Sequence, residues 1–264
     1  MTNKTDNINQ RTICWFSCGA ASAVSTKLIL EESPGAIVAY QHPGNGSEHP
    51  DNMRFLKDCE KWFGKKILIQ QSNKYKNHWD VYKKEKYLVS PKGAMCTTVL
   101  KRKVAREILN IDDIEVFGYT VDEFDRFENI QLRNPERNFR SILIERGLTK
   151  ADCLGMLAMA DIEIPAMYKM GYKNNNCIGC VKGGAGYWNK IRVDFPGVFR
   201  RMAKQEREIG ISILRRKLKG TDKTVSVYLD ELEPTVGNYK AEEYIECGLM
   251  CQIKSNKLQL NLIS

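Results

Sequence analysis

Short apolar runs alternate with helix-length amphipathic segments through the first half of the chain. The patterns typical of buried strands are at residues 12–17, 36–41, 66–70 and 114–119. Helical patterns lie between them, at residues 19–32, 51–63 and 97–109. Strand and helix alternating at this spacing favour right-handed βαβ units. The sequence therefore predicts an α/β fold, with an open, mostly parallel twisted sheet and flanking helices.

The second half is less regular, and it predicts a helical, cysteine-containing C-terminal part. Helical patterns occur at residues 148–159 and 195–209, and a strand pattern at 225–229. We expect residues 1–11 to be a disordered tail and residues 12–220 to form the main nucleotide-binding domain. Residues 221–264 are expected to be an extension that folds back over the site.

Composition narrows the class of protein and its partners. The chain has 264 residues, 42% of them hydrophobic and 28% charged, which suits a folded protein with one large domain. No apolar run approaches the roughly 18–20 residues that span a bilayer, so no membrane partner is expected. The polar N-terminus has no apolar signal region, which predicts a cytoplasmic location. The net charge of +9 favours an anionic partner, either a nucleotide or a nucleic acid.

The first candidate site is the loop Ser17-Cys18-Gly19-Ala20-Ala21-Ser22, between the first strand and the first helix. Small side chains allow a phosphate to approach the backbone, and the first N–H groups of a helix attract anions. The loop lacks the Gly-Lys-Ser/Thr ending of a Walker A motif. Small residues also serve close packing of helix on strand, so the pattern alone leaves both interpretations open.

The second candidate site is Cys177-Ile178-Gly179-Cys180, in a glycine-rich turn. This spacing suits zinc, an iron–sulfur cluster, a redox dithiol or a pair of buried thiols. Few histidines accompany it, and further thiols are available at Cys96, Cys247 and Cys251. An all-thiolate set favours a 4Fe–4S cluster over a mixed zinc site. The other thiols at Cys14, Cys59 and Cys153 are interpreted as core residues.

The third candidate is the segment from Gly118 to Arg126, which follows the fourth strand. Arg126 is a candidate phosphate clamp. The carboxylates of Asp122, Glu123 and Asp125 could hold Mg²⁺, which an ATP-dependent reaction would require, but we favour helix capping for them.

In this order and spacing, the motifs resemble the phosphoadenosine phosphosulfate (PAPS) reductase family of the Rossmann-like PP-loop superfamily. Ser17, Gly19 and Ser22 match the superfamily's Ser-Gly-Gly-x-Asp-Ser loop in register. Four further stretches are similar to family motifs, namely Tyr40–Phe55, Gly118–Arg126 (which lacks the first arginine of its motif), Ile164–Cys180 and Glu246-Cys247-Gly248-Leu249. The resemblance implies an enzyme of sulfur metabolism that binds an adenine nucleotide, with Gly118 and Arg126 at the nucleotide.

The resemblance also implies roles for the cysteines. Cys247 matches the reductase nucleophile, although Met250 replaces the histidine of that motif. Cys96, Cys177 and Cys180 match three ligands of a 4Fe–4S cluster, and Cys251 or Cys247 would supply the fourth. The enzyme would also need a thiol reductant or a sulfur-donor protein as partner, and its oligomeric state stays open.

Two other functions are also compatible with these motifs. Some PP-loop enzymes use ATP to activate a nucleic acid for thiolation or phosphorothioation. The clusters of basic residues at 83–86, 101–106 and 215–219 would suit such a partner. In that case Tyr187 and Trp188 could stack on a base, although we favour a place in the core for both. Alanines in the loop, where ATP-cleaving relatives carry lysine and aspartate, also fit a non-catalytic binding module.

Overall fold

The computed structural model describes residues 10–90, 93–218 and 220–240. These residues form two compact units, which are described separately. Unit 1 contains the residues up to Gln41 together with Asp51–Gln70 and Ala105–Lys169. Unit 2 contains His42–Pro50, Gln71–Val104 and the residues from Met170 onward.

Strands and helices alternate in the first half of the chain, and the second half is mainly helical. The strands are β1 (Thr12–Phe16), β2 (Ile37–Gln41), β3 (Leu68–Gln70), β4 (Val89–Ser90), β5 (Gly93–Ala94), β6 (Ile114–Val116), β7 (Asn138–Arg140), β8 (Leu214–Lys217) and β9 (Thr224–Val227). The α-helices are α1 (Ala20–Glu32), α2 (Asn52–Phe63), α3 (His78–Glu85), α4 (Met95–Thr97), α5 (Lys103–Arg106), α6 (Phe124–Arg133), α7 (Ile142–Glu145), α8 (Lys150–Met159), α9 (Ala166–Lys169), α10 (Ala185–Asp194) and α11 (Pro196–Ile209).

Unit 1 is built on a parallel sheet of five strands in the order β3-β2-β1-β6-β7. Continuous apolar side chains in β1 and β2 explain why these strands lie inside, since a parallel sheet is covered on both faces. Helix α1 packs against β1, α2, α7 and α8. The core beneath it contains Phe16, Val24 and Phe55, all of them buried. The sheet confirms the predicted α/β class.

Unit 2 is mainly helical, with two small antiparallel strand pairs, β4-β5 and β8-β9. Helices α10 and α11 pack on each other, and α11 also contacts α3. Trp188 and Met202 are completely buried in this unit. No helix among the described residues combines the length and the apolar character needed to cross a bilayer.

The structure contains several elements that the sequence pattern did not predict, and it changes others. The helix expected at residues 97–109 is interrupted, because a π-helical turn at Thr98–Arg102 separates α4 from α5. Strand β7 was not predicted, since Phe139 is the only apolar residue among its three and no alternation is visible in so short a run. The predicted strand at 225–229 corresponds to β9, which begins and ends slightly earlier.

Candidate functional site

The first candidate site lies where the chain changes direction across the sheet of unit 1. From the central strand β1, the chain continues to β2 on one side, and β6 lies on the other. In open α/β sheets, ligands bind at the carboxyl ends of the strands at such a switch point. The loop Ser17–Ser22 follows β1 and Gly118 follows β6, so the topology brings these predicted site residues together.

A hydrogen-bond network formed by two serines holds the loop. Ser22 Oγ accepts from the Ser17 N–H at 3.1 Å and from Ser17 Oγ at 3.0 Å. It also donates to the Gly19 carbonyl at 2.9 Å. Ser17 itself is exposed, while Gly19 and Ala21 are half-buried. The loop is therefore tied into a fixed turn that keeps part of its backbone accessible.

Cys18 gives the loop its sharp turn. Its backbone has φ of 56°, the left-handed conformation that favours glycine. Its side chain is fully buried and lies 3.7 Å from the Asn52 carbonyl. The thiol therefore points into the core, and only the backbone of Cys18 belongs to the loop surface. Strained backbone conformations of this kind are concentrated at functional sites.

Gly118 allows β6 and the start of α1 to approach closely. A Cβ atom at this position would lie 2.7 Å from both Cα and N of Ser22. These are backbone atoms of the loop, which cannot rotate away as a flexible side chain could. A glycine is therefore required at residue 118 for the loop to keep this position.

Tyr168, which was not assigned to the site, lies beside the loop. The Tyr168 hydroxyl is 3.4 Å from the Ala20 N–H, at the positive end of α1. The Lys150 ammonium lies 5.3 Å from the centre of the Tyr168 ring. Tyr168 was visible as part of the family resemblance, but nothing local in the sequence indicated contact with a loop so far away in the chain.

Arg126, the predicted clamp, lies on α6 and is engaged with its neighbours. Its guanidinium is 5.2 Å from the centre of the Tyr119 ring and forms an ion pair with Glu123. Glu123 also accepts from the Thr120 N–H at 3.3 Å in a capping box. The preferred capping role is confirmed for Glu123. Arg126 would have to share its guanidinium between Glu123 and a phosphate.

The second candidate site is in unit 2, where three cysteines surround one tyrosine. The Tyr82 hydroxyl lies 3.6 Å from the Cys96 sulfur, and the ring is buried. Burial, together with the neighbouring Cys96, Cys180 and Cys177, raises the pKa of Tyr82 well above its ordinary value. The structure thus places Cys96 and the Cys177–Cys180 turn around the same tyrosine, although Cys96 is far from that turn in the sequence.

The Cys177–Cys180 turn is organised around a second tyrosine. The Tyr187 hydroxyl accepts from the N–H groups of Gly179 and Cys180, both at 3.0 Å, and donates to the Cys177 carbonyl at 3.3 Å. The Ile178 N–H donates to the Ser47 carbonyl at 2.9 Å. The backbone of this turn is consequently fixed before any ligand binds.

The described residues do not complete a metal site by themselves. Among them, no group of three or more His, Cys, Asp or Glu side chains is arranged to hold a metal ion. Cys247 and Cys251, the candidates for nucleophile and fourth ligand, lie outside the described residues. Cysteine thiolates are suitable ligands for an iron–sulfur cluster, but the described residues alone do not form a complete set of ligands for it.

The remaining thiols and aromatics have structural roles, as expected. Cys14, Cys59 and Cys153 are buried in the core of unit 1. Burial raises the pKa of both Cys14 and Cys153 to about 12, so these thiols are protonated and unreactive at neutral pH. Tyr187 and Trp188 are both buried, which confirms the core interpretation of these residues.

No protein-family model matches this chain, and the curated proteins include no sequence with significant similarity to it. The structure therefore assigns the chain to a fold class, that of α/β proteins with a parallel sheet, and not to a particular family.

Proposed function

We propose that this protein is a PAPS-reductase-like enzyme that binds an adenine nucleotide for sulfur chemistry. The observation that carries the proposal is the Ser17–Ser22 loop, which joins β1 to α1 at the switch point of the sheet. Helix N-termini at this position are well suited to phosphate, because their N–H groups lack intrahelical acceptors. Lys150, whose ammonium lies over the ring of Tyr168, adds a positive charge to this part of unit 1.

The thiols of unit 2 form the other half of the proposal. Cys96, Cys177 and Cys180 would hold a 4Fe–4S cluster with a fourth ligand from Cys251 or Cys247. If Cys247 is free, its thiolate would attack the sulfonyl sulfur of PAPS and release adenosine bisphosphate. A thiol reductant would then release sulfite from the resulting S-sulfocysteine. A cytoplasmic location, where thiols stay reduced, belongs to the same proposal.

A second candidate is an ATP-dependent enzyme that modifies a nucleic acid. It is favoured by the exposed basic residues of unit 2, among them Arg215 and Lys217. The two candidates share the nucleotide loop and differ in the nucleotide that is consumed and in the product that is released.

Calorimetric titration with PAPS, adenosine phosphosulfate, ATP and unphosphorylated adenosine tests the nucleotide site. We expect a phosphate-bearing nucleotide to bind and Ser22→Ala to weaken it about tenfold, since this change removes the network that fixes the loop. Ser25→Ala, one turn further along α1, is the matched control. Equal affinity of Ser22→Ala and wild type, or of adenosine and the nucleotides, would contradict the proposal.

Turnover of the bound nucleotide separates the candidates. Sulfite released from PAPS with a dithiol present would support the reductase. AMP and pyrophosphate formed from ATP, with stimulation by nucleic acid, would support the second candidate. Tight binding without either product would instead indicate a non-catalytic binding module.

A further inference from the structure

The antiparallel pair β8-β9 forms a basic two-stranded ribbon, which is defined here as residues 214–217 and 224–227. Arg215 pairs with Ser226 and Lys217 pairs with Thr224 in the register of the ribbon. Opposite residues of an antiparallel pair share a face, so these four side chains lie on one face. All four are exposed. This face therefore presents two cations and two hydroxyls to solvent, without an apolar side chain.

The opposite face of the ribbon has a different character. Leu214, Val225 and Val227 are half-buried there, and only Arg216 is exposed. One face of the ribbon is thus mostly apolar and half-buried, and the other is polar and open to solvent. Such a division is typical of an antiparallel sheet with one solvated side.

The charge of the ribbon is only partly neutralised by its surroundings. Lys217 forms an ion pair with Asp222 in the connecting turn, at 2.8 Å. Arg215 and Arg216 form no ion pair with any acidic side chain in the described part of the chain. Lys223 adds a further exposed cation at the end of the turn. Arginine, lysine, serine and threonine are the side chains that most often contact phosphates and base edges of DNA.

We propose that the exposed face of this ribbon binds duplex DNA, with Arg215 and Lys217 in contact with the major groove and its phosphates. The major groove of B-DNA, about 12 Å wide and about 8.5 Å deep, admits a two-stranded ribbon. Two-stranded ribbons of this kind enter that groove in several DNA-binding folds. This inference is independent of the nucleotide site in unit 1.

Other anionic partners fit this face less well. Binding of single strands relies on aromatic side chains that stack on bases, and the ribbon contains none. The major groove of an RNA duplex is too deep and narrow for side chains to read. A membrane surface would require exposed apolar or aromatic residues next to the cations, and the exposed face has neither.

The test measures the affinity of the full chain for a mixed-sequence 20-base-pair DNA duplex at several salt concentrations. Arg215→Gln should weaken binding about tenfold near 0.1 M salt, and its salt slope should fall by about 1. Arg216→Gln removes the same charge from the neighbouring residue but from the opposite face, so we expect a loss of less than about threefold. Thermal unfolding checks that both variants are folded.

Each other outcome would overturn the inference. Equal losses for the two arginine variants would show that the exposed face is not the contact. Tighter binding of a single-stranded 20-mer or of duplex RNA would assign the ribbon to another nucleic acid. No measurable binding of the DNA duplex by folded wild-type protein would exclude the role altogether.

Discussion

At the scale of single residues, Glu206 on α11 shows how a buried carboxyl group makes stability depend on pH. The side chain is fully buried, and its two oxygens accept from the Ile213 N–H at 2.5 Å and the Leu229 N–H at 2.6 Å. Burial raises the pKa of Glu206 from 4.5 to about 7, although both hydrogen bonds act in the opposite direction. The protonated form is therefore favoured by folding.

The sign of the pH effect follows from this direction. Since the folded pKa lies above the unfolded one, the contribution of Glu206 is fully present below about pH 4.5 and is lost as the pH rises through about 7. We expect the free energy of unfolding to contain a term that falls by roughly 3 kcal/mol over this interval. Urea unfolding of wild type and Glu206→Gln between pH 5 and 8 measures it.

Glu206→Gln should be less stable than wild type at pH 5, because an amide nitrogen cannot accept the second backbone N–H. The difference between the two proteins should then shrink as the pH rises to 8. Glu208→Gln, on the same helix but half-exposed, is the matched control. A difference that is constant from pH 5 to 8 would exclude the titration of Glu206 as the cause.

At the scale of elements, the contact between the start of α1 and the segment after β6 sets the geometry of the loop. Gly118→Ala would place a methyl group 2.7 Å from the backbone of Ser22, so α1 and β6 would have to move apart. We expect a loss of about 1–3 kcal/mol of stability together with weaker nucleotide binding. Chemical denaturation and calorimetric titration measure the two effects.

Gly155→Ala is the control for this change. Gly155 lies in α8 with no atom within 4 Å of the added Cβ, so alanine should stabilise that helix by up to about 1 kcal/mol. Nucleotide binding should not change in this variant. If Gly118→Ala were as stable as wild type and bound nucleotide equally well, the close approach would have no functional role.

The same elements show what the sequence could and could not predict. The loop after β1 was predictable because its small residues, the strand before it and the helix after it are contiguous in the chain. The contact of Tyr168 with Ala20 was not, because it joins residues 148 positions apart. Strand β7 also escaped prediction, since its pairing with β6 depends on the sheet and not on its own apolar pattern.

At the scale of the whole molecule, the cysteines divide into two populations according to their surroundings. Those in the core of unit 1 are buried, and burial raises the pKa of Cys14 and Cys153. Among the described cysteines of unit 2, Cys96 and Cys177 are only partly buried, while Cys180 is buried. The pairing of Cys177 with Cys180 was visible from spacing, whereas the tyrosines that position these thiols could not be predicted from local sequence.

In the proposed function, the thiols of unit 2 hold an iron–sulfur cluster, and this assignment can be tested directly. Protein purified without oxygen should be brown, with bound iron and acid-labile sulfide. Tyr187→Phe should lower the iron content, because it leaves the N–H groups of Gly179 and Cys180 without their acceptor, at a cost of about 1–3 kcal/mol each. Metal analysis and the visible absorption spectrum measure both effects.

Tyr172→Phe is the matched control for this experiment. It removes a hydroxyl from the same aromatic cluster, but that hydroxyl donates to Asp194 at 2.8 Å and not to the cysteine turn. Its iron content should equal that of wild type, even if its stability falls. Equal iron loss in both variants would mean that general destabilisation, and not the turn, controls the site.

A colourless wild type with stoichiometric zinc would contradict the iron–sulfur assignment while keeping the thiol site, because the same cysteines can hold either metal.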